Sequence, residues 1–187
     1  MRKEIESKVI GKLIQDESFP DWWGCEAVKI PFFDNEELAI TFTEFEPAKD
    51  RAFINEADVA LTNFFSLTEN DRIAISDLVF KNCCDCIEEI GEEDFCEELR
   101  ELKDAKAIWD FVRPEEIYVT RRSRRDKNIY IQIACECDWE EEHGLQLVFR
   151  QGKKLTRVSD QDGHLTEADA YDKPDSKDAL LSQFDKN

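Results

Sequence analysis

The sequence predicts an α+β protein with an N-terminal helix and hairpin, central helices, and a C-terminal antiparallel meander sheet. Three observations predict it. Before residue 114 apolar residues recur mostly at helical spacing, after it β-branched and aromatic residues gather in short alternating runs, and Pro114 separates the two regimes. At 187 residues the chain fits one domain whose core needs no metal or disulfide staple. We place that domain at 1–166, with a helix-rich part (1–114) and a β meander (115–166), and read 167–187 as a flexible acidic tail.

Residues 2–16 carry Ile5, Val9, Leu13 and Ile14 at helical spacing, which reads as one amphipathic helix ending near Asp16. The runs 26–33 and 37–43 are rich in β-branched and aromatic residues around Asp34-Asn35, a hairpin pattern. Residues 50–65 present a broad apolar stripe from Phe53 to Phe65, suited to a helix lying on a sheet. Thr68 can cap a second helix, with Glu69 and Asp71 at its positive end. Ile75, Val79, Cys83, Cys86 and Ile90 continue one face of that helix to Gly91. Further helical candidates span 92–102 and 106–112, the second ending before Pro114 because the residue before a proline avoids helical geometry. The meander strands are 117–120, 128–137, 145–150 and 154–159, joined by polar or glycine-containing turns.

With 41% hydrophobic and 37% charged residues the chain has the composition of a folded protein. Charges interrupt the first 14 residues and no run approaches the ~20 apolar residues of a membrane span, so a cytoplasmic address is expected. Seven cysteines, two groups of them too close for easy internal pairing, argue for reduced thiols. A net charge of -19 disfavours direct contact with nucleic acid or anionic membranes and favours a basic protein as partner.

That charge has a layout. Turns of a meander alternate between the two ends of its sheet, so Arg121, Arg122, Arg124, Arg125, Lys127, Arg150, Lys153 and Lys154 fall at one end. Glu115, Glu116, Glu136, Asp138, Glu140, Glu141, Glu142, His143, Asp160, Asp162 and His164 fall at the other. A second acidic run passes through Asp85, Glu88, Glu89, Glu92, Glu93, Asp94, Glu97, Glu98 and Glu101, where like charges at i,i+4 oppose helix formation. The candidate partner-binding residues are therefore Glu88, Glu89, Glu92, Glu93, Asp94, Glu97, Glu98, Glu140, Glu141 and Glu142, with Trp139 beside the acidic loop. A solvated face kept for solubility is the alternative, and the arginines could pair with the acidic helix or protect a turn.

No assembled catalytic motif is present, so we expect a non-enzyme with no cofactor. There is no G-x-S-x-G and no phosphate loop among only six glycines. Cys83-x-x-Cys86 has metal-ligand spacing, but it continues an apolar stripe, as Cys135 and Cys137 continue the inward alternation of Ile129, Ile131 and Ile133. They read as small core residues. His143 and His164, with Glu142 and Asp162, form the one constellation that could hold a divalent ion, which leaves a metal-assisted hydrolase as an alternative. Trp22-Trp23 could anchor an interface or pack under the N-terminal hairpin.

The stretch Cys137-Asp138-Trp139-Glu140-Glu141-Glu142-His143-Gly144-Leu145, followed by Asp162-Gly163-His164-Leu165-Thr166, resembles an uncharacterised bacterial domain family with W-E-x-E-H-G-L and D-G-H-L signatures. The resemblance implies a bacterial protein similar to the immunity proteins that neutralise toxins passed between competing cells. It brings no catalytic residues with it. A cognate toxin, such as a nuclease, is the partner it implies; an acidic mimic of nucleic acid that occupies a DNA- or RNA-binding protein is a related expectation.

Overall fold

The computed structural model describes residues 3–90 and 97–182. Strands β1 (Glu4–Ser7), β2 (Gly11–Gln15), β3 (Trp23–Gly24), β4 (Val28–Ile30) and β5 (Glu36–Phe42) come first in the chain. Strands β6 (Val112–Arg121), β7 (Ile129–Cys137), β8 (Leu145–Arg150) and β9 (Lys154–Ser159) come after the helices. Among the described residues these nine strands form one sheet in the order β1-β2-β3-β5-β6-β7-β8-β9, with β4 paired to β5 off this path. Among the described strands only β5 and β6 run parallel. Parallel neighbours require a crossover connection, and the helices supply it.

The architecture is mixed α and β as expected, but the sheet dominates and the N-terminal helix is absent. Residues 4–15 instead form the β1–β2 hairpin, in which Ile5 lies opposite Leu13 and Ser7 opposite Gly11. The spacing of Ile5, Val9 and Leu13 suits a helix, but it also places two strand residues and a turn residue on the buried side of a hairpin. Gly11, at φ +77°, provides the left-handed backbone for the turn. The turn is held from below: the buried Asp58 carboxylate accepts from Ser7 Oγ and, at 3.1 Å, from Lys8 N.

The expected hairpin at 26–43 is β4 paired with β5, with a short 3-10 turn at Pro31–Phe33 between them. The helices are α1 (Phe53–Phe65), α2 (Glu69–Ala74), α3 (Ser76–Ile90) and α4 (Glu97–Arg100), followed by a 3-10 segment at Ala105–Phe111. The single helix expected over 68–90 is thus two, divided at Ile75. Asp71 Oδ2 accepts from Thr68 N at 2.8 Å, which fixes the start of α2. Expectations that fall on 91–96, including Gly91, Glu92, Glu93, Asp94 and Cys96, lie outside the described residues. Strand β6 starts two residues before Pro114, which is tolerated because pairing slips between Pro114 and Glu116.

The helices cover one face of the sheet. Ala57, Leu61 and Phe64 of α1 and Val79, Cys83 and Ile87 of α3 share a buried cluster with Ile117, Ile131, Ile133, Cys135, Leu147 and Phe149. Burying each large side chain is worth ~1.5–3 kcal/mol, so this face contributes substantially to stability. Gly152, at φ +65°, lets the β8–β9 turn press on α1: a Cβ there would stand 2.0 Å from the Ala60 carbonyl oxygen.

On the opposite face Tyr118, Gln132, Val148 and Arg157 lie in register across β6 to β9. The chain after β9 returns over part of this face, with Gln146 Nε2 donating to His164 O at 3.1 Å and Thr156 Oγ1 to Leu165 O at 3.1 Å. Beyond it α5 (Glu167–Ala170) and a 3-10 turn (Asp175–Lys177) lead to the buried Asp178, whose carboxylate accepts the backbone N–H groups of Ala168, Leu180 and Leu181. The part formed by β2, β3, β5 and β6 keeps large apolar groups at its surface, Ile14 at 38% and Phe19 at 54% exposure.

Candidate functional site

The two acidic regions that the sequence separates by some 50 residues meet in space. Helix α3 turns Val79, Cys83 and Ile87 into the core, which leaves Asn82 and Cys86 at the edge of that stripe. There Asn82 Oδ1 accepts from Trp139 Nε1 at 3.1 Å, and Cys86 Sγ donates to the Trp139 carbonyl at 3.2 Å. Trp139 is only 1% exposed. Trp139, expected among the contact residues, thus lies buried and joins the acidic helix to the acidic β7–β8 loop from beneath.

The loop itself is tightly organised. Glu140 Oε1 accepts the backbone N–H groups of Glu142 and His143, both at 3.1 Å, while Gly144 N donates to Glu140 O at 3.0 Å. Gln161 closes it from the β9 side, its Nε2 donating to Cys135 O at 3.0 Å and its backbone N to His143 O at 3.2 Å. Gly144 sits at φ +59°, and a Cβ there would stand 2.5 Å from Cys135 O and 2.7 Å from Gln161 Nε2. The position demands glycine for both its backbone and its space.

On this frame Glu88, Glu89, Glu141 and Glu142 are exposed, Glu140 is half-buried, and Glu97 and Glu98 are exposed on α4. Arg113 bridges Glu136 and Asp138 at 3.3 and 2.6 Å, and Lys81 pairs with Asp85. Among the described residues no lysine or arginine pairs with Glu88, Glu89, Glu141 or Glu142. These four carboxylates remain available for an external cation.

The basic sheet end is different, because its central arginines are occupied. Arg122, 3% exposed, makes paired bonds to both oxygens of Asp169 (2.8 and 2.9 Å) and of Asp175 (2.8 Å each), and donates to Thr166 Oγ1 at 3.1 Å. Arg125 joins Asp169 at 3.1 Å and Asp175 at 2.9 Å. Arg121 reaches Asp50 and Glu56 of the α1 region at 2.5 and 2.6 Å. The hydrogen bond from Arg122 holds the Asp175 carboxyl below the usual carboxylate range. Apart from Asp126, 3.5 Å from Arg122, the carboxylates that occupy Arg122 and Arg125 belong to the segment after β9, where Asp169 and Asp175 had no assigned role in the sequence.

His143 and His164 line different hollows. His143 shares its hollow with Glu115, Glu136 and Glu140 to Glu142, whereas His164 shares one with Trp22, Tyr118 and Arg124. Asp162 is engaged by Gln146, by the backbone of His164 and by Arg157. Among the described residues no group of three or more His, Cys, Asp and Glu is arranged to hold a metal ion. Cys83, Cys135 and Cys137 are buried, and burial pushes the Cys137 thiol up to about 12. No helix among the described residues is long and apolar enough to cross a membrane.

Trp22 and Trp23 have separate fates. Trp23 enters the core and donates from Nε1 to Phe45 O at 3.0 Å, while Trp22 stands on the open face between Phe19 (centroids 5.0 Å apart) and Tyr118 (5.8 Å). Strand alternation divides such a pair. Asn82 carries no functional signal in the sequence, and Cys86 reads there as part of an apolar stripe with metal-ligand spacing to Cys83, not as a partner of Trp139.

Fold and site together define a mixed α and β protein with one large sheet, helices on one face, and a preorganised acidic surface where α3 meets the β7–β8 loop. The chain belongs to the family described as Domain of unknown function (DUF6985), whose model matches residues 9–165. That match takes in nearly the whole sheet and all the crossover helices, and ends just before α5. No curated protein and no solved structure matches the chain.

Proposed function

We propose that this protein is an acidic binding protein that covers a basic protein, in the manner of an immunity protein or antitoxin blocking a bacterial toxin, possibilities among which a nuclease has the basic cleft such a surface fits. The observation that carries this reading is the Trp139 joint, which unites two acidic segments on a rigid frame. Fixed charge of one sign accelerates encounter with an oppositely charged partner and disfavours wrong ones. Inhibition would be steric and electrostatic, with no chemistry by this chain.

The test is a charge reversal at the four exposed carboxylates: Glu88→Lys, Glu89→Lys, Glu141→Lys and Glu142→Lys in one protein. Wild-type and variant chains are used to capture binding proteins from the cell of origin at low and high salt, and the captured protein is then purified and titrated. One basic protein retained by the wild type at low salt and lost with the variant supports the reading. Equal retention by both proteins removes this surface as the docking site.

A further inference from the structure

On the sheet face opposite the helices, a groove of about 750 Å³ opens between the β2–β3 loop, the ends of β5 and β6, and the chain that returns after β9. Phe42 and Val119 pair and face the core, so the residues that follow them, Thr43 and Thr120, come up side by side on the groove floor. Both threonines are only 8% exposed, and among the described residues neither hydroxyl has a hydrogen-bond partner. Neither is sealed from solvent, so two groups that can both donate and accept open into the groove. Gln132 beside them gives an amide hydrogen to Gln146 at 2.6 Å and keeps its Oε1 as an acceptor. The wall is aromatic: the rings of Trp22 and Tyr118 stand 5.8 Å apart, and Tyr118 is anchored by its hydroxyl on Glu116 at 3.0 Å. The rim carries both signs of charge, in the exposed Arg124 and Glu44, while Arg122 and Arg125 are committed to Asp169.

We infer that this groove binds a pyranose sugar, with one face of the ring on Trp22 and its hydroxyls on Thr43 and Thr120. A face of such a ring carries C–H groups, which gain dispersion contacts on an indole without needing charge. Its edge carries hydroxyls that both donate and accept, and the threonines, Gln132 Oε1, Arg124 and Glu44 together supply both kinds of partner. Other ligand classes use less of the lining. A simple oxyanion would engage Arg124 and the hydroxyls but meet Glu44 and leave the aromatic wall unused. A flat apolar molecule would cover the wall and leave two nearly buried hydroxyls without partners. An apolar wall with a few placed polar groups is the usual form of a small-molecule site. The inference does not depend on a basic partner, because Glu88, Glu89, Glu141 and Glu142 do not line this groove.

The test uses the full chain labelled with ¹⁵N and titrated with methyl β-glucopyranoside and methyl β-galactopyranoside. Benzyl alcohol and inorganic phosphate serve as the ring-only and anion-only controls. The expected result is a saturable shift of the Trp22 indole N–H with at least one glycoside, at lower concentration than with either control. The buried indoles of Trp23 and Trp139 report that the fold is intact and should not move. Thr43→Val combined with Thr120→Val keeps the shape of the floor and removes both hydroxyls; it should weaken glycoside binding about ten-fold, as for loss of two neutral hydrogen bonds. Trp22→Leu, followed through the Gly24 amide, should abolish binding. Arg124→Gln, in an exposed turn, should weaken it about three-fold and leave the floor intact. No saturable shift with either glycoside, equal binding of a control, or undiminished binding by the Thr43→Val, Thr120→Val protein would overturn the inference.

Discussion

Replacing Gly144 by alanine tests whether the acidic loop is as tightly built as its geometry indicates, and Gly163→Ala supplies the control. Both glycines adopt left-handed backbone, at φ +59° and +77°, so both substitutions meet the same conformational penalty of ~1–2 kcal/mol. They differ in space. A Cβ at Gly163 meets nothing within 4 Å, whereas one at Gly144 stands 2.5 Å from the Cys135 carbonyl oxygen, a backbone atom within β7 that cannot swing aside. Relieving that contact means moving the loop or the strand, an overpacking cost of ~1–3 kcal/mol. Urea denaturation should therefore place Gly144→Ala ~2–5 kcal/mol below wild type and Gly163→Ala ~1–2 kcal/mol below it. Equal losses in the two variants would refute the claim that close packing against β7 fixes this loop.

Three further outcomes follow from other parts of the molecule. Arg122→Met removes the cation shared by Asp169 and Asp175; a fully buried pair broken this way costs ~3–5 kcal/mol, and the partial exposure of both carboxylates reduces the expectation to ~2–3 kcal/mol, read by urea denaturation with loss of amide exchange protection at Ala170. Asp175 has its folded pKa depressed below the unfolded value, so its contribution is complete above the ordinary carboxylate pKa and is lost as pH falls through the depressed one; Ala170 exchange protection should fall on acidification below ~4, and no pH dependence there would contradict the pairing. In the native protein iodoacetamide should modify Cys25 and Cys84 well before Cys83, Cys135 and Cys137, which peptide mass mapping would show.

Much of the β structure was legible because the apolar residues of β7 recur at every second position. Ile129, Ile131, Ile133, Cys135 and Cys137 point inward in sequence and are all buried, which also placed the two cysteines correctly as core residues. The N-terminal hairpin was not legible as such, since the positions at 5, 9 and 13 fit a helix equally well. The informative residue was Gly11: a glycine inside a helix costs ~1 kcal/mol relative to alanine, while in a hairpin turn it is favoured. The polarity of the two sheet ends followed from strand order alone. That Arg122 and Arg125 at the basic end are neutralised did not, because their partners Asp169 and Asp175 lie some 45 to 55 residues away in a segment with little periodicity. The Trp139 joint was hidden for the same reason. Its partner Asn82 lies 57 residues away, and only the packing of α3 against the loop identifies the pair.

The most direct measurement of the central proposal is the association rate of the purified chain with its captured basic partner as a function of ionic strength, for wild type and for the Glu88, Glu89, Glu141 and Glu142 reversal. Steered association between opposite charges falls steeply as salt shortens the Debye length to ~8 Å at 0.15 M and below. The account predicts a wild-type rate that falls at least ten-fold between 10 mM and 500 mM salt, roughly the range over which steering acts, and a variant that associates at least ten-fold more slowly at low salt with a much flatter salt profile. Identical rates and identical salt slopes for the two proteins would contradict it.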